Sequence, residues 1–188
     1  MLEKTIEKSN SRLKEILSTK KAKCIIGTIL LSGIGILLPR IFHILAGNTA
    51  GQIFLPMHIA VLIAALTFGT ISASIVAGSS VIFSYLLTGM PSLARMPYML
   101  IELVIYAVLV SIFNKKFNSY ISLILAMILG RALYAGVLFV AIDLFGLPTY
   151  GISVIQSIQT GIPGIIIQLA CIPMIAKIMN ERLNLKND

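Results

Sequence analysis

Six apolar stretches, bounded by polar or helix-breaking residues, make up most of this 188-residue chain. They lie at about 22–45, 56–69, 71–89, 96–113, 119–145 and 153–179. The hydrocarbon core of a bilayer is about 30 Å thick and needs roughly 20 apolar residues per helix. Apolar residues form 57% of the sequence and charged residues 12%, which leaves too little polar surface for a water-soluble fold. The sequence therefore predicts an all-α integral membrane protein with six transmembrane helices.

The positions of lysine and arginine predict the orientation of these spans. With six crossings, 12 of the 15 basic residues fall on one side of the membrane, before the first span, between the fourth and fifth, and after the last. Positive residues are retained on the cytoplasmic side, so we expect both termini there. Three segments follow: a basic N-terminal segment (1–21), which is either an amphipathic helix on the inner leaflet or a basic tail, a membrane domain (22–180) and a cytoplasmic tail (181–188). Anionic lipids account for the net charge of +8 without a nucleic-acid partner.

The fourth span carries polar residues on one helical face. Arg95, Tyr98, Glu102 and Tyr106 follow one another at steps of three, four and four. This spacing aligns them in a stripe that runs inward from the outer surface. Because ionisable groups in a span are expensive, such a stripe is expected to line a cavity open to the outside.

The fifth span contributes Arg131 and Tyr134, one helical turn apart. Arg131 lies near the membrane midplane and needs an anion. Glu102 is one candidate, in a pair that only joins two helices, and the carboxylate or phosphate of a bound ligand is the other. In the sixth span, we favour Gln159 over Gln168 for ligand contact.

His58 and the segment before it lie at the outer boundary of the second span. Pro56 fits the first turn of a helix, because its missing N–H is harmless there. His58 is then either an interfacial histidine in contact with headgroups and water, or a residue that hydrogen-bonds a solute or the preceding loop. That loop contains Asn48, which we include among the candidate binding residues.

The first span carries small residues at helical spacing, among them Gly27, Thr28 and Ser32. Small side chains permit close helix contact. This face therefore packs against the protein's own helices or forms a docking face for another membrane subunit.

The sequence contains no catalytic, metal-binding or nucleotide-binding motif, so we expect neither enzymatic activity nor a cofactor. Two alternatives stay open. One is a small membrane enzyme acting on a lipid or an isoprenoid, with His58, Glu102 and Arg131 as its polar centre. The other is a structural partner whose buried charges hold helices together.

Three segments carry a resemblance to a known family: LPMH at 55–58, TGMP at 88–91 and the run from Met99 to Leu103. With six spans in about 190 residues, the chain resembles the substrate-binding S component of energy-coupling factor (ECF) vitamin transporters. The resemblance implies a multi-pass protein of a prokaryotic plasma membrane that captures a vitamin-like solute from outside. The loop between the first two spans would roof its pocket.

The resemblance also implies partners, namely a membrane coupling subunit and two ATP-hydrolysing subunits that drive release of the solute inward. In that family an Ala-xxx-Ala-like face of the first span contacts the coupling subunit. The matching positions here are Thr28 and Ser32, with Gly27 close by, so small residues are retained while the alanines are not. Arg131 favours a solute with an anionic group, such as pantothenate or a folate. If Glu102 neutralises Arg131, the tyrosines Tyr98, Tyr106 and Tyr134 favour a flat heteroaromatic ring instead.

Overall fold

A computed structural model of the chain describes residues 19–93, 95–143 and 154–184. Within these ranges it contains no strand and six α-helices: α1 (Lys20–Phe54), α2 (Pro56–Thr67), α3 (Thr70–Thr88), α4 (Met96–Phe113), α5 (Ser119–Asp143) and α6 (Val154–Leu183). Five of them are long and apolar enough to cross a membrane, and α2 is the shorter exception. The predicted all-helical architecture is confirmed. Most of the predicted N-terminal segment and of the C-terminal tail lies outside the described residues.

Helix α1 runs nine residues beyond the end expected at residue 45. The chain was expected to form a loop before Pro56, but it is helical up to Phe54 apart from a kink at Gly47. Gly47 has φ 76° and ψ −179°, a conformation that glycine adopts without the steric cost of a side chain. The segment expected to be a loop is therefore helical on both sides of a break at Gly47, and its role as a roof over the pocket stays a prediction. The side chain of Asn48 lies outside the described residues.

Helix α2 is the centre of the bundle. It has 12 residues, of which 10 are buried, and it contacts α1, α3, α4 and α6. Its length is roughly 18 Å at 1.5 Å per residue, which is less than the bilayer core. A helix that is apolar on every side is expected to be surrounded by protein or lipid, and α2 is surrounded by protein.

Polar side chains from neighbouring segments donate to backbone carbonyls near the end of α2 and at the junction of α1 and α2. Carbonyl groups without a partner are expensive where no water reaches them. Side chains of α4 and α6 donate to these carbonyls: Ser111 Oγ to Ala65 at 3.3 Å, Asn114 Nδ2 to Leu66 at 3.2 Å, and Gln168 Nε2 to Phe54 and Leu55, both at 3.3 Å. These bonds fix the position of α2 along the bundle.

The small-residue face of α1 packs against the protein's own helices. A Cβ atom at Gly27 would collide with the ring of Phe68, and Ser79 Oγ of α3 donates to Ser32 Oγ at 2.8 Å. Thr28 is buried as well. Of the two interpretations of this face, the structure therefore shows intramolecular packing. Gly27 and Thr28 are buried and Ser32 is half-buried, and the docking role of these residues stays a prediction, because small residues admit the chain's own helices as readily as a partner's.

We predict that Gly35→Ala destabilises the protein by about 1–3 kcal/mol, because the added Cβ would collide with Ser80 Oγ of α3. Gly33→Ala is the matched control, since no atom lies within 4 Å of a Cβ at that position. Denaturant unfolding of both purified variants in detergent measures the difference. Equal stability of the two variants would contradict this close approach of α1 and α3.

Candidate binding site

A buried ion pair joins α4 and α5. Arg131 Nη1 lies 2.7 Å from Glu102 Oε1, and each side chain is only 10% exposed. Burying both charges costs desolvation, which a short contact between them offsets. The anion that Arg131 requires is thus supplied by Glu102, the first of the two candidates that the sequence left open.

His58 stands beside this pair, on the first turn of α2. Its Nε2 is 3.8 Å from Glu102 Oε1, which is too long for a hydrogen bond. The imidazole packs edge-on against the ring of Tyr106, with a centroid distance of 5.4 Å. The residue is 5% exposed, and neither ring nitrogen has a hydrogen-bond partner among the described residues. His58 therefore lies inside the bundle rather than among lipid headgroups.

The predicted stripe of α4 faces α5 over three of its four residues. Tyr98, Glu102 and Tyr106 are buried, whereas Arg95 is exposed and precedes the helix. Tyr134 of α5 packs with Tyr98 and Leu138 in a small buried cluster. The stripe ends before Arg95 because α4 begins only at Met96.

Gly130 allows the ring of Tyr106 to lie close to α5. A Cβ atom at Gly130 would come within 2.6 Å of Tyr106 Cε1. Since Gly130 immediately precedes Arg131, this close approach brings the charged residue and the aromatic ring to the same place.

A small cavity opens beside His58 and Arg131. Its lining combines apolar side chains with a few polar ones: Leu55, His58, Leu62, Tyr106, Met127, Arg131, Ile165 and Gln168. The cavity volume, taken as the space open to the centre of a water molecule, is about 20 Å³, which is room for about one water. Binding sites for small molecules commonly combine an apolar wall with a few oriented polar groups in this way.

Gln159 and Gln168 of α6 differ in their relation to this cavity, and the preference for Gln159 as a ligand contact stays a prediction. Gln168 is 2% exposed and lines it, whereas Gln159 is exposed. The sequence does contain a signal for Gln168, because Gly164 stands one helical turn earlier on the same face. A Cβ atom at Gly164 would collide with the backbone of Ile53 and Phe54. Two residues on one face of α6 thus contact the junction of α1 and α2.

The arrangement offers hydrogen-bond donors and acceptors around a pair whose charges cancel. Over the described ranges, no three residues among His, Cys, Asp and Glu are grouped so that they could hold a metal ion. What the site can do with these groups is hold a polar molecule in a fixed orientation.

We predict that Arg131→Met alone destabilises the protein by about 3–5 kcal/mol, because it leaves a buried carboxylate without its partner. The double variant Arg131→Met, Glu102→Leu is expected to lose less, which gives a large coupling energy in a double-mutant cycle. The exposed Lys177–Glu181 pair, with its atoms 4.0 Å apart, is the control and is expected to couple by less than about 1 kcal/mol. Unfolding in detergent measures both cycles. Equal coupling energies would contradict the buried pair.

Comparison with known proteins gives one match. The model of the family described as "ECF transporter, substrate-specific component" matches residues 23–176, which is most of the chain and runs from α1 into α6. No curated protein matches the sequence, and no solved structure matches it either. The family match covers every helix that contributes to the cavity. The chain therefore belongs to the family of substrate-specific components of ECF transporters.

Proposed function

We propose that this chain captures a water-soluble vitamin or a related micronutrient from the outer side of the membrane, at the cavity beside Glu102 and Arg131. The observation that carries the proposal is the buried group of His58, Glu102 and Arg131, which lies at a cavity inside a bundle of apolar helices. Charged residues within spans commonly mark the route of a substrate. As a member of this family the chain is a transporter subunit, and binding is its own contribution to transport.

Energy for transport would come from other subunits. The sequence contains no phosphate-binding loop motif, and family membership implies a coupling subunit and ATPase subunits as partners. In this proposal a membrane coupling subunit joins the chain to two ATP-binding subunits. Their ATP hydrolysis drives release of the solute into the cell.

The packing of α2 and α4 supports access from outside. The two helices run parallel, because His58 lies near Glu102 while Leu66 lies near Asn114. Glu102 is six residues from the start of α4, roughly 9 Å along the axis, and the other end of the helix leads into Lys115 and Lys116. If these lysines are cytoplasmic, as positive residues near spans usually are, the binding group lies in the outer half of the membrane.

A contact between the first and last helices supports the same orientation. Lys23 Nζ donates to the carbonyl of Leu183 at 3.0 Å, so the start of α1 and the end of α6 lie together. Both ends are rich in lysine and arginine. In this orientation both termini are cytoplasmic.

One rival function draws on the same geometry. A small membrane enzyme acting on a lipid or an isoprenoid needs His58, Glu102 and Arg131 to converge, and these side chains do converge. Membership of a transporter family favours binding over chemistry. The two functions differ in one observable, because a transported solute is recovered unchanged.

We predict that the purified protein binds a member of a panel of water-soluble vitamins and nucleobase precursors, measured by thermal shift and calorimetry. Ligand at 100 times its Kd is expected to stabilise the fold by about 2.7 kcal/mol. The solute is expected to be recovered unchanged. A panel in which nothing binds would argue against the proposal, and a converted solute would favour the enzyme.

The double variant Arg131→Met, Glu102→Leu is expected to stay folded and to lose this binding. The control is Lys177→Met, Glu181→Leu, which removes the exposed ion pair of α6 and is expected to bind as the wild type does. In cells that also produce the coupling and ATP-binding subunits, uptake should be lost with the first double variant and unchanged with the control. Undiminished binding by the first variant would show that the solute binds away from the Glu102–Arg131 pair.

A further inference from the structure

The buried ion pair has a consequence for the charge of the solute, on the premise that the proposed function is right. Arg131 already holds the carboxylate of Glu102 at 2.7 Å. A carboxylate or phosphate on the solute would have to displace Glu102 or lie beside it. At these distances in a poorly polarisable interior, like charges repel strongly. An anionic solute was expected because Arg131 needs an anion, and Glu102 already supplies that anion.

His58 supplies the hydrogen-bonding capacity that the ion pair lacks. The side chain is 6% exposed and lines the cavity, and its two ring nitrogens have no hydrogen-bond partner among the described residues. A neutral imidazole donates through one nitrogen and accepts through the other. Polar atoms buried without a partner are costly, so a ligand that engages them gains affinity.

The neighbours of His58 define what such a ligand offers. Glu102 accepts hydrogen bonds only, and its Oε1 lies 3.8 Å from His58 Nε2. The Tyr106 ring closes one side of the imidazole at 5.4 Å. The cavity volume of about 20 Å³ admits one small polar group without movement of side chains. The group that fits is therefore small, uncharged, and both a donor and an acceptor.

We propose that the solute is uncharged at the end that enters this cavity, and that it presents an amide or the lactam edge of a nitrogen heterocycle to His58. The N–H of that group donates to Glu102. Its carbonyl accepts from the donating nitrogen of His58. Glu102 excludes a carboxylate from this position by charge repulsion, His58 binds the carbonyl of the uncharged group, and Arg131 holds Glu102 in place.

Matched pairs of small molecules test this inference with the purified wild-type protein. Each pair differs only in a carboxylate against a carboxamide as the one substituent of a pyridine ring: nicotinamide with nicotinate, and isonicotinamide with isonicotinate. In any pair that binds, we expect the uncharged member to bind at least tenfold more tightly. A carboxylate member that binds as tightly as its uncharged partner would overturn the inference and leave the proposed function standing. If vitamins and precursors of every kind fail to bind, the proposed function falls and the inference falls with it.

Substitutions at the two histidines of the chain provide the second test. His58→Phe is expected to weaken binding of the uncharged ligand at least tenfold, whereas His58→Gln, which keeps a donor and an acceptor, is expected to retain most of the affinity. His43→Phe is the control, because His43 does not line this cavity. Melting temperatures without ligand identify any variant that fails to fold. Unchanged affinity in folded His58→Phe would overturn the role of His58.

Discussion

A carboxylate and a guanidinium group 2.7 Å apart inside the helix bundle are the constraint on which the rest of the site depends. Neither charge is tolerable alone among apolar helices. The pair fixes where α4 and α5 meet, and the glycine before Arg131 lets the Tyr106 ring lie close to α5 there. Because the two charges cancel, the cavity beside them is polar without being charged. The proposed choice of an uncharged solute follows from this balance.

Helix α2 brings His58 to that pair. The helix is too short to cross a bilayer, and its ends lie where unsatisfied backbone groups would be costly. Near the end of α2, Ser111 and Asn114 donate to its carbonyls, and Gln168 donates to the carbonyls of Phe54 and Leu55 immediately before its start. Gln168 also lines the cavity, so one side chain both holds the start of α2 and borders the site. The position of His58 is therefore determined by backbone hydrogen bonds at some distance from its imidazole.

Much of this architecture is readable from the sequence. Apolar stretches, and the polar or helix-breaking residues that bound them, locate the six helices. The cost of exposing polar backbone to lipid allows few other structures. Helical spacing also aligns Tyr98, Glu102 and Tyr106, because the period of an α-helix is fixed. The meeting of Glu102 with Arg131 appeared only as one of two alternatives. Spacing states which residues share a face, whereas the partner across the interface depends on tertiary packing.

The differences between the sequence expectations and the observed packing have physical causes of the same kind. Small residues on α1 permit close contact without naming the neighbour, and here the neighbours are Phe68 and Ser79 of the same chain. The segment before Pro56 was expected to be a loop, yet its backbone is helical on both sides of Gly47, where a positive φ interrupts the helix. Gln159 and Gln168 differ in burial because of the neighbours of α6, which no local pattern records.

The most direct measurement of the central claim is the identity and amount of small molecule that stays bound to the protein through purification. Mass spectrometry of the extract from denatured protein gives both quantities. The account predicts one unmodified, uncharged solute in near-stoichiometric amount from the wild type, and its loss from the folded variant Arg131→Met, Glu102→Leu. The same solute in the same amount from both proteins would contradict the placement of the binding site at this ion pair.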